Sequence, residues 1–137
     1  MKPDFVPIFL RGVDHFNALE FWDAHESWEE LWLAAESELE QFLQGLIQIA
    51  AAYHHMKRGT FRGGVRLFDA GLRRLSHFPD PFCGVNRSSV ERAARAHRMW
   101  AADLIERNVD ERLPADQYPK LELVKSAQAP MPPSSAW

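Results

Sequence analysis

Apolar and polar positions alternate along this chain with the period of an α-helix, and no stretch shows the two-residue period of a strand. A first helix is predicted from about Asp14, read as its N-cap, to about Ala35. On a helical wheel Ala18, Phe21, Trp22, Trp28, Trp32 and Leu33 spread over one broad arc, opposite Glu20, Asp23, Glu26, Ser27 and Glu30. A second helix is predicted from about Glu38 to Arg58, with Gly59 as its C-cap. A third covers roughly Phe61 to His77, with Phe61, Val65, Phe68, Leu72 and Leu75 as its apolar stripe. Pro79 and Pro81 interrupt the pattern, and residues 82–86 read as a turn. A fourth helix is predicted from Ser88, where Ser88 and Glu91 have capping-box spacing, to about Asn108. Its buried positions are expected to be Val90, Ala94, His97, Trp100, Ala101 and Leu104. Beyond Pro114 the pattern is irregular, with residues 119–123 expected to pack as an extended segment.

Short connections between the first three helices imply antiparallel neighbours. The expected fold is therefore all-α: a compact bundle of about four to five antiparallel helices, built as helix hairpins in the manner of a tandem repeat. It forms one domain over residues 1–123, and residues 124–137 read as a flexible C-terminal tail.

Two features depart from ordinary amphipathic patterning. His25 and Glu29 fall four residues apart near the centre of the first helix's apolar arc, flanked by Trp22 and Trp32. A buried carboxylate costs several kcal/mol unless it is paired or protonated, so the fold is expected to satisfy Glu29. The second helix carries its core on Leu39, Phe42, Leu43, Leu46, Ala50 and Tyr53. Its opposite side holds Gln44, Gln48, Ala51 and His55, beside Gln41, Gly45 and Ala52, with no charge over about four turns. Small residues mixed with amides predict close contact, either inside the bundle or in a homodimer interface. His54 falls at the edge of the apolar face and points away from His55.

Composition narrows the class. The chain has 137 residues, 46% hydrophobic and 26% charged, which suits one soluble globular domain. A single cysteine, Cys83, excludes an internal disulfide framework and is expected to be inert in its proline-flanked turn. The longest uncharged stretch is too short to span a membrane, no signal peptide is visible, and a cytoplasmic location is expected. The net charge of −3 is unevenly spread. Residues 1–56 hold two basic and ten acidic side chains, whereas residues 57–98 hold ten basic and three acidic ones. The simpler expectation is that the two regions complement one another in the fold or between subunits. The alternative is nucleic-acid contact through Arg58, Arg62, Arg66, Arg73, Arg92 and Arg95.

Specific residues bring in a resemblance. Phe16-Asn17, then Ala24-His25-Glu26-x-x-Glu29-x-x-Trp32, Gln44-Gly45-Leu46-Ile47-Gln48 and Ala52-Tyr53-His54 recur in order, followed by Gly59, Gly63 and Gly84-Val85. The chain resembles the bacterial, archaeal and plastid family known as domain of unknown function 309, over about residues 12–123. It departs from the family pattern at Thr60, Gly64 and Asn86. The resemblance implies a small all-α domain of antiparallel helices and brings no established activity.

The residues themselves leave the chemistry open, and with it whether the protein is an enzyme. His25 and Glu29 at i and i+4 have the spacing that lets two side chains on one helix share a divalent metal, with His54 or an oxygen of Gln44 or Gln48 completing the shell. Alternatively Glu29, desolvated among tryptophans, serves as a general acid or base with His25. No Ser, Cys or Thr nucleophile stands beside them. A third reading is a buried hydrogen-bond network of His25, Glu29 and Gln44 or Gln48 that fixes the register of two helices. A ligand pocket would add Glu26, Trp32, Gln44, Gln48 and His54 around the pair.

Overall fold

The structure is a computed structural model that describes residues 2–124. Five α-helices make up the described chain: α1 (Phe5–Asn17), α2 (Phe21–Trp32), α3 (Ser37–Arg58), α4 (Phe61–Leu75) and α5 (Arg87–Arg107). No strand occurs among the described residues, only isolated bridges from Val85 to Phe82 and to Leu123. Each helix packs chiefly on its neighbours in sequence: α1 on α2, α2 on α3, α3 on α4 and α4 on α5. The all-α bundle of antiparallel hairpins is borne out.

The predicted first helix is in fact two. Leu19 adopts a left-handed backbone at φ 63° and closes α1. Glu20 N–H donates to the His15 carbonyl at 2.8 Å and Leu19 N–H to that of Phe16 at 3.0 Å, the double bond pattern of a Schellman end. Glycine normally takes this position, so the break carries no glycine or proline signal. Asp14, expected as an N-cap, lies inside α1. The buried side of α2 is Phe21, Ala24, Ser27, Trp28 and Leu31, not an arc centred on His25 and Glu29. Trp22 and Leu33, assigned to that arc, are exposed.

The remaining boundaries agree closely with expectation. Gly59 sits in the left-handed conformation at the end of α3. All six expected core residues of α3 are buried. The start of α5 differs in its chemistry. Ser88 and Glu91 form no capping box; the Asp80 carboxylate instead accepts from the backbone N–H of Arg87 at 2.8 Å and of Ser88 at 3.3 Å. These bonds, with the Ser88 side chain first among the causes, hold the Asp80 carboxyl below its ordinary range. Glu91 pairs with Arg87 at 2.5 Å, both side chains largely buried.

Two close approaches set the packing. Trp28, fully buried, lies across Gly12 of α1 and donates its indole N–H to the Phe9 carbonyl at 3.2 Å. At Gly71 a side chain would stand 2.8 Å from Ile49 Cδ1, so α3 and α4 meet almost backbone to backbone. This explains the small residues of α3: Gly45 and Ala52 are buried. Tyr53 occupies the aromatic centre, ringed by Phe16, Phe21, Phe68 and Tyr118 at centroid distances of 4.9–6.0 Å. Residues 118–124 return in extended form. Asn17 brackets Leu121 with hydrogen bonds to its N–H and carbonyl, and Val124 N–H donates to the Gly84 carbonyl at 2.8 Å. The tail expected from residue 124 lies, apart from Val124, outside the described residues.

Candidate functional site

His25 and Glu29 are not a sealed pair. Their side chains keep 18% and 46% of their exposure, and His25 Nε2 stands 3.4 Å from Glu29 Oε2. The desolvation that the sequence pattern implied for Glu29 is therefore absent. His25 Nδ1, by contrast, is buried without a hydrogen-bond partner.

Trp22 organises the surroundings. Its ring stacks on His25 at 4.7 Å and 17°, and meets His54 of α3 at 5.2 Å. It nonetheless leaves 49% of its surface exposed. The α1–α2 corner, the first turn of α2 and the last turn of α3 enclose a cleft of about 430 Å³. Trp22 and His54 line it, together with Glu20, Asp23, Lys57 and Arg58. Lys57 ties the corner down by donating to the Leu19 carbonyl at 2.9 Å. Burial pushes the His54 imidazole below its ordinary pKa, with added repulsion from Arg58, His55, Lys57 and His25. A neutral ring at pH 7 can both donate and accept a hydrogen bond.

The other expected site residues divide. Glu26 is exposed, and Trp32 is half-buried against the core. Gln44 is half-buried, whereas Gln48 faces α4 and accepts from Arg74 at 3.1 Å. Among the described residues, the group of metal-capable side chains whose donor atoms lie within 4.8 Å of one another is His15, Glu20 and Asp23. His25, Glu29 and His54 form no such group. His15 Nδ1 and Glu20 Oε1 are 3.0 Å apart. Sequence reasoning passed over these two because residues five apart on one continuous helix diverge by about 140°. The left-handed residue between them brings them together.

A second polar pair lies inside the aromatic centre. Tyr53 OH and His97 Nδ1 are 2.7 Å apart, and the His97 ring is also hydrogen-bonded to the Gln117 backbone. Burial pushes the Tyr53 phenol well up and the His97 imidazole down. With His97 neutral and its other nitrogen engaged, Tyr53 donates to Nδ1. Cys83 is buried, and burial pushes its thiol up to about 12, which makes it a poor nucleophile.

Fold and cleft together define a small all-α protein of consecutive antiparallel helix hairpins, with a surface cleft at the α1–α2 corner. Residues 9–67 match the family model described as a domain of unknown function, DUF309, which bears out the resemblance over that stretch. The match runs from α1 into α4 and includes Trp22, His25, Glu29, Gln44, Gln48 and His54; α5 lies beyond it. No curated protein and no solved structure matches the chain. Among the described residues, no helix is long and apolar enough to cross a membrane.

Proposed function

We propose that the cleft beside Trp22 binds a small planar ligand carrying a negative group. One observation carries this reading: a tryptophan held against two imidazoles keeps half its surface open on the wall of a cleft. Rings held in place offer a preformed stacking surface, and ordering costs little when the platform is already fixed. Lys57 and Arg58 supply positive charge to a carboxylate or phosphate, and neutral His54 supplies a directional hydrogen bond. Glu20 and Asp23, which also line the cleft, disfavour a second negative group. In this reading His25 and Glu29 position the Trp22 ring, with His25 stacked beneath it.

The test is a titration of ¹⁵N-labelled protein with benzoate and, separately, adenosine monophosphate. The Trp22 indole N–H resonance, assigned by its loss in Trp22→Phe, is expected to shift saturably and together with the His54 ring signals. His54→Ala is expected to weaken binding about tenfold, the loss of one hydrogen bond to a charged group. Neither probe moving the Trp22 resonance at millimolar concentration refutes the reading.

A further inference from the structure

The basic stretch of the chain has few carboxylates to spare. Its three acidic residues are all engaged: Asp69 with Arg98, Asp80 with the start of α5, and Glu91 with Arg87. Four of its ten cations make side-chain hydrogen bonds: Arg87 and Arg98 to these carboxylates, and Lys57 and Arg74, which keep their charge, to the Leu19 carbonyl and to Gln41 and Gln48. Six arginines remain: Arg58, Arg62, Arg66, Arg73, Arg92 and Arg95. Every one is exposed, and none forms an ion pair among the described residues. Of the simpler expectation, neutralisation in the fold or between subunits, the pairing within the fold is not met for these six among the described residues.

Their placement is ordered. The exposed positions of α4 are Arg62, Arg66, Asp69 and Arg73, one ridge with no apolar side chain and a length of about 16 Å. Asp69 is held bidentately by Arg98 of α5, at 2.9 and 3.2 Å, so its charge is already answered. That pair ties α4 to α5, with Arg73 one turn beyond Asp69 on α4 and Arg95 one turn before Arg98 on α5. Nearer the other end of the ridge His55 of α3 sits against Gly63, its imidazole pushed down first by burial and then by the charges of Arg58 and Arg66.

We infer that the outer ridge of α4, with the adjoining turns of α3 and α5, binds the phosphodiester backbone of a nucleic acid. The six cations of this stretch with neither an ion pair nor a hydrogen bond among the described residues are arginines, whose planar forks match phosphate oxygens in pairs. Unpaired like charges aligned on one ridge repel each other, and a polyanion laid along the ridge relieves that repulsion. A protein interface would need an apolar centre, which the α4 ridge lacks. The inference stands apart from the Trp22 cleft, since Arg58 alone is common to both.

Fluorescence anisotropy of a labelled 20-nucleotide oligouridylate and of a 20-base-pair DNA duplex, from about 25 to 200 mM KCl, tests it on the full chain. Six phosphate contacts give a slope of log affinity against log salt of about −4 for the single strand and about −5 for the duplex. Arg66→Gln/Arg73→Gln/Arg95→Gln is expected to bind with a slope shallower by about 2 for the single strand and about 3 for the duplex, with its melting temperature retained. Arg107→Gln, which removes a cation already paired with Asp103, is expected to leave binding unchanged. Binding of one or both nucleic acids with these slopes supports the inference. It is overturned by three outcomes: no binding at 25 mM KCl, the same slope in the triple variant, or competition by polyglutamate as effective as that by unlabelled nucleic acid. The last would mark an acidic polypeptide as the partner.

Discussion

Gly12→Ala offers the sharpest test of how α1 and α2 meet. A Cβ at this position would overlap the Trp28 indole, at 2.5 Å from Cδ1 and 2.6 Å from Cε2. The indole has nowhere to retreat, because Trp28 is fully buried against Phe9 and Phe16. Three effects compete. Alanine gains about 1 kcal/mol over glycine in the helix interior. Overpacking costs about 1–3 kcal/mol, and displacing the indole N–H from the Phe9 carbonyl leaves a buried donor unsatisfied at a further 1–3 kcal/mol or so. The net expectation is a loss of about 3 kcal/mol, a large share of the total stability of a domain this size. Urea unfolding followed by far-ultraviolet circular dichroism reads it as a lower midpoint with unchanged slope. Trp28→Phe makes room and removes the donor, so Gly12→Ala in that background is expected to cost under about 1 kcal/mol. The difference is a coupling of about 2 kcal/mol. A single Gly12→Ala variant as stable as the parent, or equal costs in both backgrounds, refutes the argument.

Two further perturbations test buried charge and titration. Arg87→Met strands the Glu91 carboxylate, whose side chain is only 6% exposed, and is expected to cost about 3–5 kcal/mol, most of it recovered by adding Glu91→Leu; chemical denaturation of the single and double variants checks it. For His97 the folded pKa lies below the ordinary 6.5, so the unfolded chain takes up protons first as pH falls. The stability it contributes is complete above about pH 6.5 and is lost as pH drops towards the folded pKa, with His54 and His55 adding the same sign. Melting temperature is expected to fall from pH 7 to pH 5, and to fall less in His97→Gln; equal slopes in the two proteins contradict the assignment.

Much of the fold was legible because helix periodicity and the strongest stop signals are local. α3, α4 and α5 fall within a residue or two of their predicted limits, and the extended return near residues 119–123 followed from the loss of periodicity alone. The missed break at Leu19 had no local signal, since a leucine in a left-handed turn is tolerated only where packing and two backbone bonds hold it. That error separated His15 from Glu20, which the corner brings into contact. A second one moved the site: counting Trp22 and Leu33 as core centred the arc of α2 on His25 and Glu29, whereas Ala24, Trp28 and Leu31 face inward and the pair sits on the margin.

By itself, then, the sequence determined the helical class, the hairpin order, the core of α3 and the segregation of acidic from basic residues. These depend on spacing within one element or on composition. Tertiary structure alone decided the rest: which side of α2 faces inward, that Trp22 lies between His25 and His54, and that six arginines stay unpaired among the described residues while Asp69, Asp80 and Glu91 are taken by other partners. Burial and pairing depend on how separate helices are brought together. A single residue in a left-handed turn rotates every side chain that follows it.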